Sequence, residues 1–270
     1  MRMTVIAGWL AVDQRSASSA YLISDSRFSW RTSRTNVAYD NGRKLFAFRN
    51  SPDIVAYCGD VLFPITTLSQ ILELADHGLL FPTKAPSEQR SRIILQQIEN
   101  QFENYPNEYS QPINIYHISR DIDNSFKAFQ FVLLCGYDPI FRQISIDKKH
   151  SHLIFCDGTG KDEFSDLFNC YERGLNQRTS RNIYQCFCRL LLNSVNPTFG
   201  GAPQLVGLYR SKGNGINFGI IHEDTRYYLG SPLQFLEDYN FTMWYNDNFE
   251  ICDGNTMLRF ANAMRQPNPT

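Results

Sequence analysis

The stretch Thr4-Val5-Ile6-Ala7-Gly8-Trp9-Leu10 stands close to the start of the sequence and is almost entirely apolar. No turn residue or helix cap precedes it, and a β-branched residue at the head of such a run is typical of a buried strand. Thr4 therefore has two interpretations. It can be the ordinary first residue of a strand, or it can become the first residue of the chain when Met3 is removed. In the second case its hydroxyl lies beside a free α-amine, which can act as its base.

The composition indicates a globular protein with a sizeable core. Apolar residues make up 43% of the 270 residues, and 20 are Phe and 14 Tyr. The net charge is −1 with acids and bases well mixed, so we expect neither a nucleic-acid partner nor a membrane partner. We find no secretory signal and expect the seven cysteines to be free thiols, which predicts a cytoplasmic protein.

The order of the predicted elements indicates the fold class. Four strands come first, between residues 4 and 58, and the turn-rich stretch RTNVAYDNGRK lies between the second and the third. Helices are predicted at 63–80 and 87–102, four strands between 114 and 156, helices at 162–173 and 181–195, and three more strands between 204 and 229. Helix pairs that interrupt blocks of strands do not fit a βαβ alternation. They predict an α+β protein in which two antiparallel sheets pack face to face with helix pairs outside, a four-layer αββα sandwich.

The chain has no internal repeat and no linker-like stretch. We therefore predict one domain over residues 1–230 and a C-terminal extension, residues 231–270, packed on that domain. The extension mixes aromatic and polar residues, as in NFTMWYNDNFE, and its secondary structure is not assigned.

Four residues at strand ends could serve a threonine nucleophile. Asp25 and Arg27 close the second strand in ISDSR, Lys44 begins the third in GRKLFAF, and Gly59 ends the fourth in AYCGD. A cation near the amine lowers its pKa, a carboxylate holds that cation, and a backbone N–H can face an oxyanion. Each residue also has an ordinary structural interpretation: a turn cap, a solvated strand-edge lysine, or a glycine that turns the chain.

Taken together, the motifs TVIAG, LISDSR, RKLFAF and AYCGD resemble the β-type subunits of the proteasome and the related bacterial heat-shock protease. These are N-terminal nucleophile (Ntn) hydrolases with an αββα sandwich, the Ntn hydrolase fold. The resemblance implies that Thr4 is the nucleophile, that Asp25 and Lys44 are its charged partners, and that Arg27 is structural. It also implies that the N–H of Gly59 forms the oxyanion hole.

The resemblance continues to about residue 210. LLCGYDPIFRQISID resembles the family's Gly-Tyr-Asp strand pair, CDGTGKDEF its Gly-Ser-Gly-Ser loop, and NPTFGGAPQLVGLY its Asp-x-x-Ser-Gly-Gly turn. Thr159 replaces the loop Ser and keeps the hydroxyl, so it joins the implied catalytic set. Asn196 stands where the family has Asp, Phe199 where it has Ser, and Lys161 where it has a small polar residue. Family propeptides usually place Gly before the nucleophile, whereas Met3 precedes Thr4 here.

Three functional hypotheses follow. The first is a threonine-type peptidase that cleaves amide bonds of peptide or protein substrates through an acyl-enzyme, without a cofactor or a metal. The second, favoured by Asn196, Phe199 and the residues before Thr4, is a non-catalytic structural or binding subunit on the same fold. The third is an amidase acting on non-peptide substrates. The resemblance also implies a homo- or hetero-oligomer.

Overall fold

A computed structural model describes residues 4–31, 36–106, 112–174, 176–211 and 213–263, without the side chains of residues 31 and 36. The predicted removal of residues 1–3 concerns a part of the chain outside these ranges. The helices within them are α1 (Leu62–Asp76), α2 (Ser87–Phe102), α3 (Lys161–Tyr171) and α4 (Ser180–Asn193). The strands up to α3 are β1 (Val5–Val12), β2 (Ala17–Ser24), β3 (Phe28–Arg31), β4 (Asn36–Tyr39), β5 (Leu45–Ala47), β6 (Asp53–Cys58), β7 (Ile113–Arg120), β8 (Phe126–Leu133), β9 (Ile140–Ile144) and β10 (His152–Gly158). The later strands are β11 (Gln204–Tyr209), β12 (Ile216–Asn217), β13 (Gly219–His222), β14 (Thr225–Tyr228), β15 (Ser231–Pro232), β16 (Trp244–Asn246) and β17 (Ile251–Cys252).

The first strand shows how the layers form. Side chains alternate between the two faces of a strand, and both faces of β1 are buried. The face that carries Val5, Ala7 and Trp9 packs in one core with residues of α3 and α4. The opposite face, with Ile6 and Leu10, packs in a second core with residues of β5 and β6. An apolar run without alternation is thus explained, because β1 lies between a helical layer and another sheet.

Two five-stranded antiparallel sheets form the centre of the molecule. The first has the order β10-β1-β2-β11-β12 and the second the order β5-β6-β7-β8-β9. A third apolar core joins the second sheet to α1 and α2. The sequence of layers is therefore α3 and α4, first sheet, second sheet, α1 and α2, so the predicted αββα sandwich is confirmed.

One segment differs from the sequence prediction. The stretch interpreted as turn-rich contains β4, which pairs with β3 to form a hairpin between Asp25 and Lys44. Its cross-strand pairs include Phe28 with Tyr39 and Trp30 with Val37, so these apolar residues share one face. Asn36, Asp40 and Gly42 around the strand suggested a turn, but cross-strand aromatic pairing outweighs those local preferences.

The unassigned C-terminal residues form part of a third sheet. Its order is β15-β14-β13-β16-β17, and β13 and β16 are parallel. The indole of Trp244 is completely buried, and Ile221 and Cys252 pack with it in a small fourth core. Strands from both sides of residue 230 thus share one sheet. The division at that residue, into a domain and an extension, stays a prediction.

Two general expectations can be compared with the structure. All seven cysteines are free thiols. None of the helices in the described ranges is long and apolar enough to cross a membrane.

Candidate active site

The structure brings Thr4, Asp25 and Lys44 together. Thr4 immediately precedes β1 and Asp25 immediately follows β2, and the pairing of Ile6 with Ser24 places these two strand ends side by side. Lys44 immediately precedes β5 in the other sheet, and its Nζ donates to Thr4 Oγ1 and to Asp25 Oδ1, both at 2.7 Å. The Thr4 hydroxyl also donates to Asp25 Oδ1. Each of the three side chains thus contacts the other two.

The Asp25 carboxylate is completely buried, and five donors hold it. Besides Thr4 and Lys44, the backbone N–H of Val5 donates to Oδ1 at 3.1 Å. The N–H groups of Gly200 and Arg27 donate to Oδ2 at 3.0 and 3.2 Å. Both oxygens of the Asp25 carboxylate are thus fixed in position beside Lys44.

Lys44 is as buried as Asp25, with 1% of its surface exposed. Burial lowers the pKa of Lys44 below its ordinary value, and the Asp25 carboxylate opposes that effect. The centre of the Phe28 ring lies 5.6 Å from Lys44 Nζ, so the first residue of β3 packs over the end of the lysine side chain. The Lys44 Nζ thus lies buried between the Thr4 hydroxyl and the Asp25 carboxylate.

Thr159 lies on the opposite side of Thr4, in the short loop between β10 and α3. Its Oγ1 accepts from Thr4 N at 3.3 Å and lies 3.2 Å from Thr4 O. This closeness depends on Gly158, whose φ is +99° and whose position could not carry a Cβ, since that atom would lie 2.2 Å from Thr4 O. The loop therefore holds the backbone of Thr4 on both sides of its Cα.

Gly59 and Arg27 have identifiable structural surroundings. Gly59 follows β6 with a φ of +114°, and a Cβ there would lie 2.6 Å from Pro112 O, so the backbone itself requires glycine. The oxyanion role of its N–H stays a prediction. Arg27 forms a bidentate ion pair with Asp40 at 2.7 and 2.8 Å. Its Nη1 donates to Phe199 O at 3.3 Å, which ties the hairpin to the loop before β11.

Sequence reasoning missed Gln204, the first residue of β11. Its Nε2 donates to the carbonyls of Asp25 and Gly42 at 3.0 and 2.8 Å, and its Oε1 accepts from the N–H of Lys44 at 3.2 Å. The side chain is almost completely buried. Gln204 therefore fixes the segment that carries Asp25 relative to the one that carries Lys44. A glutamine at a strand start gives no such signal in the sequence.

A second buried polar cluster lies between α2 and the second sheet, and we call it the helix-two cluster (Asp53, Arg90, Ser91, His117). His117 Nε2 lies 2.8 Å from Asp53 Oδ1, and its Nδ1 lies 2.9 Å from Ser91 Oγ. Arg90 Nε donates to Asp53 Oδ2 at 2.8 Å. Ser91, His117 and Asp53 are thus linked in the same order as the triad of a serine hydrolase. All three, however, have no exposed surface. This cluster joins helix to sheet and has no access for a substrate.

Two cavities lie away from Thr4, and the described residues include no group of side chains that could hold a metal. A cavity of about 520 Å³ is lined by residues such as His150, His152 and Arg178, and one of about 310 Å³ by Arg43, Asp76 and others. Neither is lined by Thr4, which is 1% exposed in the chain with residues 1–3 attached. Within the described ranges, no three His, Cys, Asp or Glu side chains are grouped so as to hold a metal.

The fold and the site define the class of protein: an αββα sandwich with a buried Thr-Asp-Lys cluster at the start of its first strand. No family model matches the chain, and no curated protein matches it. Three solved structures similar to it are Anbu proteins. The structure of Anbu (ancestral beta-subunit) from Yersinia bercovieri is 12% identical, with a TM-score of 0.52, over 81% of this chain and 88% of that one.

Two further structures are of Anbu from Hyphomicrobium sp. strain MC1. A (Gly-1) mutant is 13% identical, with a TM-score of 0.49, over 79% of this chain and 87% of that one. The other is 10% identical, with a TM-score of 0.48, over 78% and 86%. At these identities the likeness concerns the fold alone, and the Yersinia structure is the one that supports it.

These findings correct the sequence-based resemblance. The order of short motifs indicated the β-type subunits of the proteasome and the bacterial heat-shock protease, whereas the solved structure that supports the fold is Anbu from Yersinia bercovieri. That assignment is wrong. Short motifs at strand ends follow the αββα sandwich itself, because the same strand ends need the same turns, as Gly59 illustrates. They identified the fold and not the family.

Proposed function

We propose that the chain is an N-terminal threonine hydrolase that cleaves amide bonds of peptides once Thr4 is its first residue. The observation that supports this proposal is the three-way contact of Thr4, Asp25 and Lys44. A lysine ammonium at 2.7 Å from a threonine hydroxyl, held by a buried carboxylate, stabilises the negative charge that forms on the oxygen during attack. Such a pair costs several kcal/mol to bury, and a purely structural role is served equally well by apolar side chains.

The reaction has two steps. Thr4 Oγ1 attacks the amide carbonyl and its proton passes to the α-amine of Thr4, through a water molecule, while Lys44 and the N–H of Gly59 face the developing charges. The C–N bond of the substrate then breaks. The α-amine of Thr4 gives that proton to the leaving amine of the substrate, and the acyl group remains bound to Thr4 Oγ1 as an ester. In the second step water adds to the ester, which releases a carboxylic acid and regenerates the hydroxyl. No cofactor is required at any point.

The base in this scheme exists only after processing. With residues 1–3 attached, Thr4 N is a peptide N–H that donates to Thr159 and cannot accept a proton. Removal of those residues turns it into an amine at the same place and also removes chain that precedes the site. We therefore expect a mature chain that begins at Thr4 and an increased exposure of the Thr4 hydroxyl.

The experiment uses chains made to begin at Thr4 and small acyl-peptide reporters, together with an electrophile that reacts with N-terminal threonine. Wild type should turn over the reporter and take one label at Thr4. Thr4→Ala should lose activity by roughly a thousandfold or more with little change in folding. Thr4→Ser keeps both nucleophile and amine and should retain part of the activity. A trimmed wild-type chain that neither hydrolyses nor takes the label contradicts the proposal.

A second candidate, a non-catalytic subunit on the same fold, is supported by one observation. Thr4, Asp25 and Lys44 are all at most 1% exposed, and none of them lines either of the two cavities described above. The intact mass of the protein from its producing cell separates the two candidates. A chain that retains residues before Thr4 favours the non-catalytic subunit.

A further inference from the structure

A series of hydrogen bonds runs from the backbone nitrogen of Thr4 to a carboxylate at the surface. Thr4 N donates to Thr159 Oγ1 at 3.3 Å, and the hydroxyls of Thr159 and Thr198 lie 2.8 Å apart. Thr198 Oγ1 lies 2.7 Å from Asn196 Oδ1, and Asn196 Nδ2 donates to Glu163 Oε1 at 2.7 Å. We call this series the amine chain (Thr4, Thr159, Thr198, Asn196, Glu163). It connects the base of the proposed reaction to an anion.

The hydroxyl hydrogens of the amine chain have two possible arrangements. The backbone N–H of Thr198, which can only donate, faces Asn196 Oδ1 at 3.0 Å, so the amide nitrogen must face Glu163 in both. In the first arrangement Thr198 donates to Thr159 at 2.8 Å and Thr159 donates to Thr4 O at 3.2 Å. In the second, Thr198 donates to Asn196 at 2.7 Å, which frees its oxygen to accept from Thr159. All donors of the second arrangement point away from Thr4, towards the carboxylate, and a positive charge at Thr4 N favours it.

The far end of the amine chain is held in place. Glu163 lies in the first turn of α3, and Ser194, the residue after α4, donates to its second carboxylate oxygen at 3.0 Å. Thr198 is 8% exposed, so water has little access to the middle of the series. Asp25 and Lys44 face Thr4 from the ends of β2 and β5, and Asp157 closes β10 just before the Thr159 loop. The other charged residues of the first turns of α3 are Lys161, Asp162 and Asp166.

We propose that Glu163 is a positioning residue that raises the pKa of the Thr4 α-amine through Asn196, Thr198 and Thr159. This inference rests on the proposed function, because it assigns the groups that tune the base of that reaction. An ammonium group at Thr4 N donates into a series of dipoles that ends on an anion, which stabilises the charged form more than the neutral one. The proton itself moves only from Thr4 Oγ1 to Thr4 N, since an amide does not relay protons.

The test measures the pKa of that amine directly. A chain beginning at Thr4 is treated with cyanate at a series of pH values, and mass spectrometry gives the rate of carbamylation at Thr4, which needs the neutral amine. Glu163→Gln removes the charge and keeps the shape, so the pKa should fall by about 0.3 to 0.5 units, a small shift because the carboxylate is exposed. Asp166→Asn is the matched control: it makes the same change of charge one turn further along α3, outside the amine chain, and should shift the pKa far less.

A double variant tests whether the series carries the effect. Asn196→Asp combined with Glu163→Gln moves the anion one residue closer to Thr4, so the pKa should return to the wild-type value or exceed it. Equal shifts in Glu163→Gln and Asp166→Asn, or no recovery in the double variant, overturn the inference.

The cyanate reaction requires no turnover by the protein, so the inference and the proposed function fail separately. In an active protein the acid limb of kcat/KM should move to lower pH in Glu163→Gln, because the weaker base is neutral at lower pH. An inactive protein that nevertheless shows the predicted pKa shifts contradicts the proposed function and leaves the amine chain intact.

Discussion

Two buried ionic clusters lie in neighbouring layers of this molecule, and they differ in what could reach them. The helix-two cluster contains Ser91 next to His117 and Asp53, the residue types of a familiar hydrolase triad, with distances of 2.8 and 2.9 Å. The Thr-Asp-Lys cluster contains no histidine at all. Ser91, however, lies inside α2 and His117 inside β7, so exposing them requires unfolding. Thr4 lies just before β1, outside any helix or strand, and the proposed cleavage before it would free its amine. Under that proposal, access to the reactive group separates the two clusters.

The largest effect is expected where a charge loses its buried partner. Asp53→Asn leaves the Arg90 guanidinium without a counter-charge between α2 and β6, and the free energy of unfolding should fall by about 3 to 5 kcal/mol. Urea unfolding measures the change. Asp166→Asn, on the exposed face of α3, is the control and should cost less than about 0.5 kcal/mol. A similarly small cost for Asp53→Asn would mean that the helix-two cluster does not anchor α2.

The same residue predicts a dependence on pH. Burial alone would raise the pKa of Asp53, but the hydrogen bond from His117 and the charges of His117 and Arg90 outweigh it, and the pKa lies below its ordinary value. A depressed pKa in the folded state stabilises the protein fully above the unfolded value of about 3.9, and that contribution is lost as the pH falls through the folded value. Wild type should therefore lose more stability than Asp53→Asn between pH 5 and pH 3. Equal losses would show that Asp53 titrates alike in both states.

The next effect concerns the other ion pair. Lys44→Met fills the same space but leaves the Asp25 carboxylate buried with only neutral donors, so the free energy of unfolding should fall by about 3 kcal/mol and labelling at Thr4 should stop. Lys127→Met is the matched control, because Lys127 pairs with Asp121 at 2.7 Å in a partly exposed position. There we expect at most about 1 kcal/mol and normal labelling. A labelled Lys44→Met protein would show that the ammonium is not needed for attack.

Much of this arrangement could be predicted from the sequence. The buried run after Thr4 and the interruption of strand blocks by helix pairs gave the αββα layers, because apolar periodicity reports which faces must be covered. Asp25 and Lys44 could be predicted as site residues because each stands at the end of a strand. A charged side chain next to a buried apolar run needs a partner of opposite charge or a hydrogen bond. Both signals, the apolar pattern and the charges at strand ends, lie within a few residues of each other in the sequence.

The rest depends on contacts that no local pattern records. Gln204 meets Lys44 across 160 positions and Thr198 meets Thr159 across 39, and nothing near either residue distinguishes it from a polar residue at a turn. His117 sits in an apolar strand, where its partners on α2 and β6 are visible only after packing. The β3–β4 hairpin has turn-type residues in its sequence, and the pairing of aromatic residues between its strands is not visible in a local pattern. The family assignment failed for the opposite reason: its motifs were local and belong to the sandwich.

A smaller effect is expected for Gln204→Leu, which keeps the size of the side chain and removes three hydrogen bonds. The carbonyls of Asp25 and Gly42 and the N–H of Lys44 would lose a buried partner, so we expect a loss of about 2 kcal/mol and slower labelling at Thr4. Gln130→Leu, in the second sheet, is the control for removing a partly buried amide and should leave labelling unchanged. If Gln204→Leu loses stability but labels Thr4 at the wild-type rate, the side chain only supports the fold.

The smallest change is Ser91→Ala, and it separates the two clusters most directly. The substitution leaves His117 Nδ1 without its hydroxyl partner at a completely buried position, so the free energy of unfolding should fall by about 1 kcal/mol. Hydrolysis and labelling at Thr4 should stay at the wild-type rate, because α2 lies on the far side of the second sheet from the first. The measurement pairs urea unfolding with the reporter assay on the same sample. Thr4→Ala in parallel should show the reverse pattern, with stability nearly kept and activity lost. Loss of activity in Ser91→Ala without loss of structure would mean that this serine is reached after all, and the distinction by access would then be wrong.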